Sequence, residues 1–397
     1  MIIDNIITDK MIFGGECLAK NSGKAVLIPY TVPGERLSVE ITGSKRDYDT
    51  AVVSEIITPS PHRVTPPCPL YGKCGGCNMM HIDPEYQKQL RKSVLRDAFE
   101  RCGVKVPEIE CISGNSLHYR CRFQLHNGGL SERASNSIIP ITSCAVAEDT
   151  VNEYFAATPV ENRPHGRIQL YGSSKAEKTI VAEETERESE SVTPTQKNKI
   201  HHTVKKHYSG TVISEDSTAE VTILGKKIKF DVRGFFQSNL EVLEKSIPHI
   251  CAGNGENALD MYSGCGTFSV FLAEHYKNIT LVEHNRDALV FAEQNLTGAS
   301  HKSFGMSGEK WVQLCSKTAP RFDCVVVDPP RSGMENAVCA WLGRSEIPQI
   351  HSVSCDPATH ARDASKLISA GYKLEKLYLL DFYPHTSHIE SLAWFTL

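Results

Sequence analysis

From about residue 235 the chain alternates apolar, strand-like runs with helical or loop segments. The runs are "NALDMYSGCGTFSVFLAEHY", "NITLVEHNRDALVFAEQNL", "FDCVVVDPPRSG", "QIHSVSCDPATHARDASKLISAG" and "KLEKLYLLDF". Strands of this kind, separated by helices, bury both faces only inside a largely parallel sheet, so residues 235–397 read as a Rossmann-like α/β domain. The rest of a 397-residue chain must then fold around other cores, and two or three domains are expected.

Residues 1–58 read as a small β-barrel. "KAVLIPY", "ERLSVEITGS" and "TAVVSEII" are short β-rich runs, and "VPGE" supplies a turn between the first two. "PSPHRVTPPCP" then marks a boundary. Residues 59–234 read as a central α+β domain. Its "YQKQLRKSVLRDAFER" places Leu90, Val94, Leu95, Ala98 and Phe99 at helical spacing, with basic residues opposite. "HYRCRFQLH" begins a β-leaning stretch, and the polar segment 182–199 is expected to be an exposed loop or linker. The opening "MIIDNIITDKMIFGG" has no basic leader, and no apolar run reaches membrane-spanning length. A cytoplasmic protein with no membrane contact and no obligatory protein partner is expected. Fourteen cysteines in such a chain read as thiols or metal ligands. A net charge of −4 argues against broad, nonspecific nucleic-acid affinity but leaves room for a local basic surface.

Four constellations carry chemistry. In "LDMYSGCGTF" a strand runs into Gly264 and Gly266, where backbone can approach a ligand closely. Glu283 ends the next strand-like run, where an acid can hold ribose hydroxyls. Ser269 stands where the dinucleotide fingerprint has its third glycine, so a nucleoside without a pyrophosphate, such as S-adenosylmethionine, fits better. "VVVDPPRSG" ends a strand on Asp328, followed by two prolines that fix the backbone without N–H donors. Cys68, Cys74 and Cys77 cluster in "CPLYGKCGGC", with Cys144 far downstream, and this spacing leaves zinc and an iron–sulfur cluster equally open. Finally, Cys355 follows a strand-like run in "HSVSCDPATHARD", and Glu390 lies in "LLDFYPHTSHIESL" at the end of the next one. A thiol and a carboxylate facing one cleft suit covalent addition followed by proton removal. His385 and His388 are given no role.

These motifs together resemble the uracil-5 RNA methyltransferase family, its 23S ribosomal RNA branch in particular, along nearly the whole chain. The resemblance implies a class I methyltransferase domain behind a barrel of the OB-like TRAM type and a central iron–sulfur domain. It makes Cys68, Cys74, Cys77 and Cys144 ligands of a 4Fe-4S cluster, "ITSCAV" carrying the last. "FFQSN" matches a Phe-x-Gln-x-Asn motif that puts Gln237 at the S-adenosylmethionine site, with Tyr262, Glu283 and Asp328. "SCDPAT" carries the nucleophile, Cys355, and "HTSHIES" the base, Glu390. No residue is assigned in "SFGMSGEKW". The transfer RNA branch of the family typically lacks barrel and cluster, which favours ribosomal RNA.

The implied reaction moves a methyl group to carbon 5 of a uridine after the Cys355 thiolate adds to carbon 6. Lys88, Arg91, Lys92, Arg120 and Arg122 are candidates to hold the RNA backbone. The alternatives are an iron–sulfur redox enzyme with a nucleotide-binding domain, the same methyl transfer on transfer RNA, and a non-catalytic RNA-binding module.

Overall fold

In the computed structural model, which describes residues 1–177, 179–183 and 217–397, the apolar runs of the C-terminal half lie in one eight-stranded sheet. Its order is His301–Phe304, Tyr276–Val282, Gly255–Met261, Cys324–Val327, Gln349–Ser354, Glu390–Thr396, Lys373–Leu380 and Ile109–Ile112. The first five strands are parallel. All of Cys324–Val327 is buried, as a central parallel strand requires. Successive strands step outward on one side of Gly255–Met261 and then resume on its other side with Cys324–Val327. Open α/β sheets hold ligands at that reversal, beyond the carboxyl ends of the strands.

Glu390–Thr396 runs antiparallel to both of its neighbours. Glu390 is therefore the first residue of a strand and not the end of one, as the sequence suggests. The reversed direction still brings it to the carboxyl-end rim, with Ser391 opposite Ser354 in the register.

The sheet also takes in elements from before residue 235. Ile109–Ile112 forms its edge beside Lys373–Leu380, and the helix Pro84–Arg101 packs on the helix Pro357–Ser369. Asp83 caps Pro84–Arg101 by accepting from the N–H groups of Glu85 and Tyr86, and Pro84 occupies the first turn, where a missing N–H is harmless. Leu90, Val94, Leu95 and Phe99 turn inward, as their spacing predicts. Arg91 turns inward too. It is 1% exposed and stands 2.8 Å from Asp381, which is 2% exposed. The guanidinium also donates to the carbonyl of Tyr383 at 3.1 Å. Arg91 thus neutralises a carboxylate of its own chain and leaves the group of residues expected at an RNA backbone. Lys88 is committed to Glu85 at 2.7 Å.

Ile2–Met11, Cys17–Asn21, Lys24–Ile28, Arg36–Ser44 and Tyr48–Thr58 close into a barrel, which leaves no unpaired edge. Ile6, Ala19, Val26, Ile28, Leu37 and Val39 fill it. Buried Glu35 accepts from Arg63 at 2.7 Å and from the N–H of Val32 at 2.9 Å, fastening the barrel to the segment that follows. Arg122–His126, Arg167–Tyr171 and Ile180–Glu183 form a separate antiparallel sheet. The helix Asp149–Ala157 buries Val151 and Phe155 in the adjoining core. Ala182 and Glu183 belong to that sheet, and the rest of the polar segment 182–199 lies outside the described residues. Among the described residues no helix is long and apolar enough to cross a membrane.

Breaking a buried ion pair leaves an uncompensated charge. Arg91→Ala is expected to lower stability by about 3–5 kcal/mol in urea unfolding. Replacing both partners with apolar residues (Arg91→Met with Asp381→Leu) should recover most of that loss. Equal losses in the single and double variants would show that the pair does not act as a unit.

Candidate active site

Beyond Gly255–Met261 the chain turns sharply through three left-handed residues, Tyr262 (φ 68°), Gly264 (56°) and Gly266 (79°). A side chain at Gly266 would come within 2.9 Å of Ala292, so glycine there lets two segments pack closely. Nothing approaches the corresponding point at Gly264, which opens onto a cavity. The N–H of Gly264 donates to Glu283 at 2.9 Å, and the N–H of Asn285 donates to the other carboxylate oxygen at 2.6 Å. Glu283 is thereby fixed at the end of Tyr276–Val282. The Tyr262 hydroxyl bonds to Glu335, which heads the helix Asn336–Leu342 without capping it.

The cavity is about 910 Å³, and Gln237, Tyr262, Glu283, Asp328, Cys355 and Glu390 all line it. Gln237 is buried, and its side-chain oxygen has no partner. Two residues on, Asn239 caps the helix Leu240–Ile250 and donates to the carbonyl of Phe382 at 3.3 Å. Of the two amides of "FFQSN", Asn239 is spent on structure and Gln237 is left to the cavity. Asp328 follows Cys324–Val327, and burial in the site, with Asp260 and Glu283 nearby, pushes its carboxyl up to about 7.

Cys355 sits where Gln349–Ser354 gives way to the helix Pro357–Ser369. Asp356 caps that helix, accepting from the N–H groups of Ala358 at 3.0 Å and Thr359 at 2.8 Å. The Asp-Pro step thus sets a sharp strand-to-helix turn that leaves the preceding thiol half-buried at the rim. Burial pushes the thiol up to about 11, with Glu390 and Asp328 adding to the rise and Arg331 opposing it. Burial pushes Glu390 up to about 8, Asp328 adding and Arg331 again opposing.

Sequence reasoning missed several groups at this cavity. Arg331, the last letter of "DPPR", is the cation that favours both the Cys355 thiolate and the Glu390 carboxylate. Glu335 carries no local signal, because its partner Tyr262 lies 73 positions away. Met306, Ser307 and Gly308, just beyond His301–Phe304, line the cavity in the stretch where no residue was assigned. Of the two histidines, His388 lines the cavity and His385 does not. His385 is buried behind it, bonded to Gln87.

Cys68, Cys74, Cys77 and Cys144 line a second cavity of about 370 Å³. Asn152 fixes the last of them, accepting from the Cys144 N–H at 2.8 Å and donating to its carbonyl at 3.1 Å. Burial, with Cys144 adding, pushes the Cys77 thiol up to about 12. Among the described residues no three histidine, cysteine or acidic side chains form a group that could hold a metal ion. The four cysteines share the lining of that one space. Arg120 lines both cavities.

Residues 196–396 match the family model described as tRNA (Uracil-5-)-methyltransferase. An RNA methyltransferase of Treponema denticola, named only as uncharacterized, is 36% identical over 98% of this chain and 98% of its own length. The 23S rRNA (uracil(1939)-C(5))-methyltransferase RlmD of Chromohalobacter salexigens is 28% identical over 99% of this chain and 89% of its own. Among solved structures, the tRNA (uracil-54, C5)-methyltransferase of Pyrococcus abyssi, in complex with S-adenosyl-L-homocysteine, has a similar fold. It covers 98% of this chain and 100% of its own, with a TM-score of 0.70 and 22% identity. The reading as an iron–sulfur redox enzyme falls with these findings, and so does that of a non-catalytic module: the chain belongs to the uracil-5 RNA methyltransferase family and is an S-adenosylmethionine-dependent transferase.

Proposed function

We propose that this enzyme methylates carbon 5 of a uridine in 23S ribosomal RNA through a covalent bond between Cys355 and carbon 6 of the uracil. The observation that carries the reading is the meeting of a half-buried thiol and a buried carboxyl, Cys355 and Glu390, in one cavity with Gln237, Tyr262, Glu283 and Asp328. The unpartnered oxygen of Gln237, the open space over Gly264 and the fixed carboxylate of Glu283 suit a nucleoside bearing amino and hydroxyl groups. Gln237, Tyr262, Glu283 and Asp328 would hold S-adenosylmethionine, which supplies the methyl group.

Carbon 5 of neutral uracil is a weak nucleophile. Attack of the Cys355 thiolate on carbon 6 pushes the ring electrons toward the carbon 4 oxygen and makes carbon 5 electron-rich. Once carbon 5 is methylated, the Glu390 carboxylate takes its proton. The electron pair left on carbon 5 re-forms the ring double bond, and the carbon–sulfur bond breaks to return the thiolate. Glu390, poised at about 8, is close to the pH at which it must act. To enter the cavity the target base has to leave its stack, at a cost of roughly a few kcal/mol.

The ribosomal target is supported by the relative from Chromohalobacter, which matches along 99% of this chain. The barrel does not help to choose, because the Pyrococcus transfer RNA enzyme shares the fold over 98% of this chain. Methylation of transfer RNA is therefore the second reading. Assaying both RNAs and mapping 5-methyluridine decides between them.

We also propose that Cys68, Cys74, Cys77 and Cys144 hold a 4Fe-4S cluster. A cluster brings its own iron–sulfide core and needs thiolates ringed around a cavity. A single zinc ion needs each sulfur at about 2.3 Å. The four cysteines line one cavity, which is the support for a shared cluster. Protein purified without oxygen should be brown and contain iron and acid-labile sulfide. Stoichiometric zinc without sulfide would overturn this assignment.

Two variants test the covalent reaction together. Cys355→Ala should abolish methyl transfer while S-adenosylmethionine still binds, and turnover within about tenfold of the parent, a barrier change of only ~1.4 kcal/mol, would exclude it as nucleophile. Glu390→Gln cannot accept the carbon 5 proton, so methylated RNA should stay attached to the protein as a denaturation-resistant band. Parent-like turnover with no such band would assign the proton to another base.

The free enzyme offers a separate check. Cys355 should alkylate slowly at neutral pH and faster as pH rises toward about 11. Above about 8, where Glu390 is ionised, its charge holds the thiol up. Glu390→Gln removes that charge, lowers the thiol's pKa and should speed alkylation of Cys355, followed by mass spectrometry. An unchanged rate would mean that the two groups do not sense each other.

A further inference from the structure

Asp381 to Ile389, the segment that delivers Glu390 to the cavity, contains no helix or strand. It is held by other parts of the chain. The N–H groups of Asn78 and Met79 both donate to the carbonyl of His385, at 3.1 and 2.9 Å. The N–H of His385 donates to Gln87 at 2.9 Å, and the Tyr119 hydroxyl donates to the carbonyl of Pro384 at 3.0 Å. His385 itself is left-handed at φ 65°, a conformation that a non-glycine residue keeps only when its surroundings impose it.

Asn78 makes the link nearest to Glu390. Its amide nitrogen donates to the hydroxyl of Ser387 at 3.0 Å and to the carbonyl of Gly14, in the first turn of the barrel, at 3.0 Å. Its amide oxygen accepts from the N–H of Ser387 at 2.9 Å. One side chain, donor and acceptor at once, therefore joins the barrel, the cysteine segment and the loop ahead of Glu390. The barrel leaves room for this link: a side chain at Gly15 would come 2.9 Å from the Asn78 amide nitrogen and 2.9 Å from Cβ of Ser387.

We infer that Asn78 is a positioning residue for the proton-removing step, holding Glu390 in place through Ser387. This rests on the proposed role of Glu390 as base. Glu390 is held on its strand side by pairing with Leu380, and the link through Ser387 fixes the loop that enters it. Cys355, Tyr262, Glu283 and Asp328 stand on other strands and do not adjoin that loop in the chain. Releasing Ser387 should therefore leave addition and methyl transfer intact and slow only the step after them.

Asn78→Ala should lower turnover about 10–100-fold, the scale of a displacement of roughly 1 Å in a catalytic group. It should also accumulate the denaturation-resistant RNA adduct, with S-adenosylmethionine affinity held at the parent value and the unfolding midpoint lowered by no more than the loss of its three hydrogen bonds implies. Asn78→Asp keeps an acceptor for both the N–H and the hydroxyl of Ser387 and should restore most of the turnover. A second pair of variants separates the link from backbone strain. Gly14 (φ 107°) and Gly15 (φ 86°) are both left-handed, but only at Gly15 would an added Cβ meet Asn78 and Ser387. Gly15→Ala should accumulate adduct and Gly14→Ala should not. Glu390→Gln is measured alongside. If it traps no adduct, the base assignment fails and this inference fails with it. If it traps adduct but Asn78→Ala does not, the inference alone is overturned. Loss of S-adenosylmethionine affinity in step with turnover, or equal adduct in Gly14→Ala and Gly15→Ala, overturns it as well.

Discussion

The site depends on the last strand running against its neighbours. Glu390–Thr396 is wedged between Gln349–Ser354 and Lys373–Leu380 and antiparallel to both, so its first residue meets the rim where Gln349–Ser354 ends. A parallel strand in that slot would have put Glu390 at the opposite edge, a strand's length from Cys355. The cost of the reversal is an irregular crossing from Asp381 to Ile389 that must be fastened where no ladder can do it. Arg91 supplies one anchor, by its ion pair with Asp381 and its bond to the carbonyl of Tyr383. A buried pair of this kind adds little stability over an apolar contact, but neither charge can be left there alone. What the pair fixes is the departure of the loop from the sheet.

Electrostatics then sets what the rim can do. Asp260, Asp328 and Glu390 are each raised chiefly by burial. Closely spaced buried carboxyls resist ionising together, since each charge raises the others. Arg331 is the counterweight that acts on both Cys355 and Glu390. The outcome differs for the two groups. A carboxyl at about 8 can exchange its proton near neutral pH, whereas a thiol at about 11 stays protonated in the free enzyme. A thiol held in its protonated form reacts slowly with oxidants and alkylating agents at neutral pH.

Much of this was legible in the sequence because the signals are local. Strand-end residues announce themselves: Gly264 and Gly266 take conformations that few other residues hold, and Asp356-Pro357 is both a cap and a helix start. Gln237, Tyr262, Glu283, Asp328 and Cys355 could be named from such turns and from family motifs. What was not legible depends on partners distant in the chain. The direction of Glu390–Thr396 is decided by strands that the residues around Glu390 do not encode. Arg91 stands three, four, seven and eight positions before Val94, Leu95, Ala98 and Phe99, so helical spacing places it on the apolar face and only its charge argues for exposure. Its burial is set by Asp381, 290 positions away. Tyr262 and Glu335 pose the same problem, as do His385 and Gln87. The helix Pro84–Arg101 was legible as a helix but not as part of the sheet's cover, because nothing in its own residues names Pro357–Ser369 as its neighbour.

Arg120 shows how closely the middle of the chain is built into the main cavity. Its backbone bridges to Asn239, two residues beyond Gln237, and to Ala147, three beyond Cys144. Its guanidinium lies 4.9 Å over the ring of Phe123, donates to the carbonyl of Arg122 at 2.9 Å, and faces both cavities. One positive charge therefore favours the thiolate forms of Cys74, Cys77 and Cys144 while it lines the space that Cys355 and Glu390 share. A residue in the wall between two cavities cannot move for one without moving for the other. With Ile109–Ile112 in the main sheet and Pro84–Arg101 packed against one of its helices, the region before residue 235 helps to wall the cavity, and no cut near residue 235 would leave that cavity whole.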